Sequence, residues 1–145
     1  MKASGSKIAN NYFENSWRDD LPSLNAVIDV VKGDNHYITG NILINCRFLS
    51  QIKVHSEGEV LNNFVVTKNY IKGIGRETKR KNIIYLKTLG TGVVVKANII
   101  DCPRFSGSAI KVIADKRGLR VKSNTINVSG KPVSIVIRSA YKFNR

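Results

Sequence analysis

Five short runs of β-branched and apolar residues carry the side chains best suited to bind an anionic ligand. The runs cover residues 27–30, 52–54, 83–86, 109–112 and 133–137. Several of them alternate apolar with polar residues, as a half-buried strand does. Lysine and arginine bind carboxylates and phosphates, and tyrosine can stack on a sugar ring. The residues predicted to form a substrate-binding face are Asp29, Lys53, His55, Tyr85, Lys87, Lys111 and Arg138.

The same pattern has a second interpretation. A solvated basic surface made of good strand formers would show the same alternation without binding any ligand. In the last run, the outward positions are assigned to Val136 and Arg138.

Catalysis on a polysaccharide needs more than this face supplies. Glycosidases use two carboxyl groups, about 5 Å apart in retaining enzymes or about 6.5–9.5 Å apart in inverting ones. Asp29 is the only acid on the predicted face, whereas the turns beyond the strands add Asp34, Glu57 and Glu59. These three are the catalytic candidates and would also be the ligands of any calcium ion, although acids beside glycine are common in turns. The sequence therefore indicates no cofactor and no metal site. It leaves open a hydrolase, a lyase or a protein that is not an enzyme.

The chain is strongly basic, with 24 lysine and arginine residues against 10 acidic ones and a net charge of +14. Such a field attracts polyanions, including acidic polysaccharide, lipopolysaccharide phosphates, nucleic acid or an acidic protein. Nucleic acid is less favoured, because the sequence contains no zinc finger, helix-turn-helix or RNA-recognition signature. The densest basic stretch is predicted to be a loop between two coils that either binds polyanions or is simply solvated. Its cations are Arg76, Lys79, Arg80 and Lys81.

Five asparagines recur at nearly constant spacing, and each is followed two residues later by an apolar residue. They are Asn11, Asn41, Asn69, Asn98 and Asn124, separated by 30, 28, 29 and 26 residues. This period, with short strands in each repeat and no helical periodicity, is typical of a solenoid whose strands stack about 4.8 Å apart. Each asparagine suits a bend between strands, because it tolerates left-handed backbone geometry and its side-chain amide can bond the same group one coil above.

The repeat predicts an all-β fold, a right-handed parallel β-helix of about five coils with an asparagine ladder. A Greek-key sandwich is the alternative. Residues 1–145 are predicted to be a single domain, with an irregular entry segment and first rung in 1–24 and regular coils in 25–145. The chain is either complete or a fragment of a longer protein. Cys46 and Cys102 would lie about 10 Å apart, which is too far for a disulfide, so both are predicted to be reduced.

Two segments, residues 38–44 and 121–127, resemble coils of the pectin-lyase-like right-handed parallel β-helix superfamily, which includes pectate lyases, polygalacturonases and phage tailspikes. The resemblance extends over residues 8–138. Residues 118–122 also resemble a polygalacturonase signature that holds a substrate carboxylate, but the other motifs of that signature are missing. The resemblance is one of architecture, which enzymes and non-enzymes of the superfamily share.

The resemblance implies a carbohydrate-binding β-helix of the phage-tailspike or depolymerase kind. Its ligand would be an acidic bacterial surface polysaccharide or lipopolysaccharide, which it would also cleave if it is an enzyme. A homotrimer in a virion tail or an extracellular location is the corresponding expectation, and no signal peptide or membrane-spanning segment is recognisable. The alternative is a structural β-helix in a larger, phage-tail-like assembly, whose basic surface docks an acidic partner or nucleic acid.

Overall fold

The computed structural model describes residues 5–15, 26–46, 50–55, 60–73 and 82–138. Throughout these residues the fold is all-β, and the strands form three parallel five-stranded sheets. Sheet I contains β1 (Lys7–Ala9), β4 (Tyr37–Thr39), β7 (Val65–Thr67), β10 (Val94–Lys96) and β13 (Arg120–Lys122). Sheet II contains β2 (Tyr12–Glu14), β5 (Ile42–Ile44), β8 (Tyr70–Lys72), β11 (Ile99–Cys102) and β14 (Thr125–Val128). Sheet III contains β3 (Ala26–Val30), β6 (Ser50–His55), β9 (Asn82–Lys87), β12 (Ser108–Ala114) and β15 (Lys131–Ile137).

The chain visits sheets I, II and III in the same order in every coil, so each strand pairs with its equivalents in the coils below and above. This order makes the molecule a parallel β-solenoid and confirms the predicted class of fold. The solenoid has about four turns, which corrects the predicted five. The prediction counted asparagine rungs, and five rungs enclose only four complete repeats. We call the coil of β1–β3 the lower coil and that of β13–β15 the upper coil.

The core is a set of inward columns, in which residues of similar size stack on one another from coil to coil. The alternation of a strand directs every second side chain inward, and the inward residues of the middle coils are at most 1% exposed. Full burial of each such side chain contributes about 1.5–3 kcal/mol. The columns of the three sheets are Ile38, Val66 and Val95; Leu43, Ile71 and Ile100; and Ile52, Ile84 and Ile110.

The asparagine ladder lies at the turn between sheets I and II and forms as predicted. In each step the backbone N–H and the side-chain Nδ2 of one asparagine donate to Oδ1 of the next, for example from Asn41 to Asn69, both at 3.0 Å. The second Nδ2 proton of Asn69 reaches the carbonyl oxygen of Ile38 at 3.0 Å. The side-chain hydrogen-bonding groups of this asparagine are therefore satisfied although it is only 1% exposed.

The structure places the left-handed residue of each bend one position before the ladder asparagine. At Gly40, Lys68 and Ala97 φ is between 56° and 67°. The ladder asparagines themselves have no positive φ. The bend therefore precedes the asparagine, and in the middle coils the asparagine side chain is buried in the stack.

The two cysteines are buried thiols and are not joined in a disulfide. The Sγ of Cys46 lies 3.6 Å from the carbonyl oxygen of Phe13, and the Sγ of Cys102 lies 3.9 Å from that of Ile71. Both therefore act as small core residues at the end of sheet II. Within the described ranges, no helix has the length and apolar character needed to cross a membrane.

Candidate functional site

The outer face of sheet III brings most of the predicted binding residues into two vertical columns. In the first column Asp29 pairs with Lys53, Lys53 with Tyr85, and Tyr85 with Lys111. In the second column His55 pairs with Lys87. Because strands in one sheet are about 4.8 Å apart, these side chains form a continuous surface along the solenoid axis.

The top of the first column differs from the prediction. Lys111 pairs with Ser134, and Val136 belongs to the second column, above Ile113. Arg138 lies beyond the end of β15, where its backbone N–H donates to the carbonyl oxygen of Ala114 at 2.9 Å. The turn before β15 sets this register, because the Gly130 N–H binds the carbonyl oxygen of Phe105 at 2.9 Å.

An aromatic pair lies at the centre of this face. The rings of His55 and Tyr85 are stacked, with centroids 6.4 Å apart and planes inclined by 29°. Tyr85, Lys53 and Lys111 are each half-buried, so their stems pack on neighbouring side chains while their polar ends stay accessible. Burial raises the pKa of the Tyr85 hydroxyl above its ordinary value, so this group stays a neutral hydrogen-bond donor at physiological pH.

The same face contains a polar residue that the sequence analysis missed. Gln51 lies two residues before Lys53 in β6, and strand alternation places both on the outer side. Gln51 is nevertheless 1% exposed, and neither its Nε2 nor its Oε1 has a hydrogen-bond partner. A buried amide without partners lowers stability. In the sequence the only sign was a glutamine at an outward position of an apolar strand.

Replacing Gln51 with methionine is expected to raise the free energy of unfolding by about 1 kcal/mol. Methionine keeps nearly the same volume and removes the desolvated amide. The measurement is urea-induced unfolding followed by circular dichroism. Gln51→Ala is the control, since it removes the amide but leaves a cavity and should destabilise the protein. A loss of stability in Gln51→Met would show that the amide has a partner.

Of the three acidic candidates, the structure describes Asp34. The Oδ1 of Asp34 accepts the backbone N–H of Asn62 at 2.8 Å, and the Oδ1 of Asn62 accepts that of Thr91 at 2.9 Å. Asp34 is thus the first member of a short ladder at the turn between sheets III and I. Glu57 and Glu59 lie outside the described residues.

Two further predictions concern the basic loop and a metal site. The basic loop residues Arg76, Lys79, Arg80 and Lys81 lie outside the described residues. Among the residues that are described, no group of three or more histidine, cysteine and acidic side chains could hold a metal ion. Asp115, a buried acid, instead binds the guanidinium group of Arg117 through two contacts of 3.1 and 2.9 Å.

Comparison with known proteins identifies no relative of this chain. No protein-family model matches the chain, and neither a curated protein nor a solved structure matches it. The fold is therefore established by the strand order and register described above. Any function has to be argued from the chemistry of the surface.

Proposed function

We propose that this chain binds an acidic polysaccharide along the outer face of sheet III, as a carbohydrate-binding β-helix of the tailspike or depolymerase kind within the pectin-lyase-like superfamily. One observation carries the proposal. Lys53, Tyr85 and Lys111 stack on three consecutive rungs, with His55 packed against Tyr85. This is a line of cation, aromatic ring and cation, parallel to the solenoid axis.

The line matches the chemistry of an extended acidic glycan. Such a chain alternates negatively charged groups with apolar ring faces along its length. Lys53 and Lys111 are two rungs, or about 10 Å, apart, and each can bind a carboxylate while a sugar ring stacks on Tyr85 between them. Half-buried side chains have already lost part of their rotamer freedom, so less entropy is lost when a ligand binds. The net charge of +14 would also speed the encounter with a polyanion.

The proposal concerns binding, because the described part of this face offers one carboxylate, that of Asp29. Hydrolysis of a glycosidic bond generally requires two. Elimination from a uronic acid would instead require a base near the proton α to the carboxylate, together with cations. Lys53 and Lys111 are cations of the right kind, and the imidazole of His55 is a side chain of the type that serves as a general base. Incubating bound polysaccharide with the protein and measuring its chain length would reveal either reaction.

The test of binding is a screen against acidic and neutral glycans at low and physiological salt. Lys53→Ala and Lys111→Ala are each expected to weaken binding to a selected acidic glycan by about tenfold, the size of a charged hydrogen bond. Lys72→Ala is the matched control. Lys72 is an exposed lysine of sheet II, so this substitution removes the same charge from another face. Equal losses of affinity in all three variants would overturn the proposal. So would heparin and random DNA binding as tightly as the selected acidic glycan.

A second candidate is a structural β-helix within a larger assembly, as in a phage tail. The observation that favours it is the exposure of inward residues in the upper coil. Ile135 and Ile137 are 45% and 52% exposed, whereas the residues that they pair with, Val112 and Ala114, are fully buried. A partner that covers this end would bury both isoleucines. This candidate predicts no selective glycan affinity and an unfolding midpoint that rises with protein concentration, as for the homotrimer implied by the resemblance.

A further inference from the structure

The outer face of sheet I carries a group of cations that the site on sheet III does not use. The first and third residues of each sheet I strand point outward, and none of these outward residues is acidic. The cations concentrate at one corner, where sheet I turns into sheet II in the three upper coils. We call this group the corner cluster, and it consists of Lys68, Lys96 and Lys122, all exposed. Arg120, also exposed, lies at the opposite end of β13.

The register of the sheet places two of these charges in direct opposition. Lys96 in β10 pairs with Lys122 in β13, with no residue between them. Like charges on directly opposed strand positions destabilise a sheet. The arrangement therefore lowers the stability of the free protein.

Lys68 adds a second unfavourable feature at the same corner. Its φ is 56°, in the left-handed region that glycine and asparagine tolerate best. The equivalent residues are Asn10 and Gly40 in the coils below and Ala97 and Ser123 in the coils above. A lysine there strains the backbone. Lys68 follows β7 directly, and the bend brings it close to the end of β10 in the next coil. Its backbone N–H lies 3.4 Å from the carbonyl oxygen of Lys96.

A third feature is an unpaired hydroxyl group. Thr67 pairs with Lys96 on the outer face and is 6% exposed, and its Oγ1 has no hydrogen-bond partner. Buried hydroxyl groups are normally paired. Strain, like-charge opposition and an unpaired polar group thus coincide within three neighbouring coils, and such coincidences occur where a ligand compensates for them.

We propose that the corner cluster is a second binding line for an acidic polysaccharide, separate from the line on sheet III. Lys96 and Lys122 bind its carboxylates, and Lys68 binds a further one. The ligand class rests on the proposed function. Charges repeated at each rung suit a chain with about one carboxylate per sugar. Nucleic acid is less suitable, because the outward neighbours of the cluster, Val65 and Val94, cannot stack on bases, and the aromatic residue of this column, Tyr37, lies one coil below Val65.

The experiment is isothermal titration calorimetry of the full chain with a short oligogalacturonate, which carries one carboxylate on each sugar, and with its neutral methyl ester. We expect two oligosaccharides to bind each wild-type protein, and one to bind after Lys96→Gln with Lys122→Gln. Lys53→Gln with Lys111→Gln removes the other site. Lys72→Gln with Arg104→Gln is the control of equal charge, because both residues are exposed and lie away from the two lines. Lys96→Gln should also raise the unfolding midpoint of the free protein, because it removes the repulsion from Lys122.

The outcomes separate this inference from the proposed function. The Lys96 and Lys122 double variant is called the sheet I pair, and the Lys53 and Lys111 double variant the sheet III pair. If the sheet I pair still binds two oligosaccharides and the sheet III pair binds one, the corner cluster is not a binding line, while the proposed function stands. If only the sheet I pair removes a site, the proposed function fails and the corner cluster holds. Equal binding of single-stranded DNA at the corner cluster would overturn the assignment to polysaccharide.

Discussion

Replacing Asn69 with alanine is expected to lower the free energy of unfolding by about 3–5 kcal/mol, because it breaks a buried hydrogen-bond network at its centre. Asn69 accepts two hydrogen bonds from Asn41 and donates to Asn98 and to the carbonyl oxygen of Ile38, each at 3.0 Å. Alanine removes all of these side-chain bonds and leaves the partner groups in the two adjacent coils without a hydrogen bond from this position. Asn69 is 1% exposed, so water cannot replace them without opening the stack.

The control is the same substitution at the lower end of the ladder. Asn11 is exposed, and its side chain donates only to Asn41 among the ladder residues. Asn11→Ala is expected to cost about 1 kcal/mol, the net value of one ordinary hydrogen bond. Urea unfolding of both variants gives the comparison. Similar losses at the two positions would mean that the ladder is not cooperative, and that the stability resides in the apolar columns instead.

Replacing Gly90 with alanine is expected to destabilise the protein by about 3 kcal/mol or more, through overpacking between two coils. A Cβ at Gly90 would lie 2.6 Å from the carbonyl carbon of Leu61 and 2.7 Å from Oδ1 of Asn62, and it would also collide with the carbonyl oxygen of Leu61. Two of these atoms belong to the backbone, which cannot move aside as a flexible side chain would. The methyl group therefore forces the third and fourth coils apart. The turn ladder of Asn62 and Thr91 lies at this point.

Gly73→Ala separates this steric effect from the cost of backbone conformation. Gly73 has φ of 66°, and the nearest atom to an added Cβ is the backbone nitrogen of Asn45, 4.0 Å away. Alanine there is expected to cost about 1–2 kcal/mol, the penalty for a left-handed residue. Thermal unfolding of both variants tests the difference. If Gly73→Ala is the more damaging of the two, close approach of the coils at Gly90 is not the controlling factor.

Both predictions concern the rigidity of the surface on which binding is proposed. The Lys53, Tyr85 and Lys111 line has its spacing only because equivalent strands are held in register over consecutive coils. The ladder fixes one corner of each coil and the close contact at Gly90 fixes another. In a destabilised stack the distances between the cations would vary. The affinity for an extended glycan should therefore fall together with the stability of the Asn69 variant.

The periodicity of the sequence was sufficient to predict the solenoid. A ladder residue needs the same amide in every coil, so Asn11, Asn41, Asn69, Asn98 and Asn124 remain visible as a repeat. The alternation within each strand likewise identified the outward positions of sheet III, because side-chain direction in a strand has a strict period of two. These features are local or strictly repeated, which is why one sequence reveals them.

The class of fold, the ladder and the composition of the sheet III face follow from the amino-acid sequence alone. The register of β15, which puts Ser134 above Lys111, became known only from the packing of the coils. That packing also decided that the bend falls before the ladder asparagine, and that Lys96 opposes Lys122 on a different face. The same holds for Gln51 and Thr67, whose side chains lie on outward positions and are nevertheless buried. Each of these depends on contacts between residues almost one full coil apart, where a shift of one or two residues in a turn changes every neighbour.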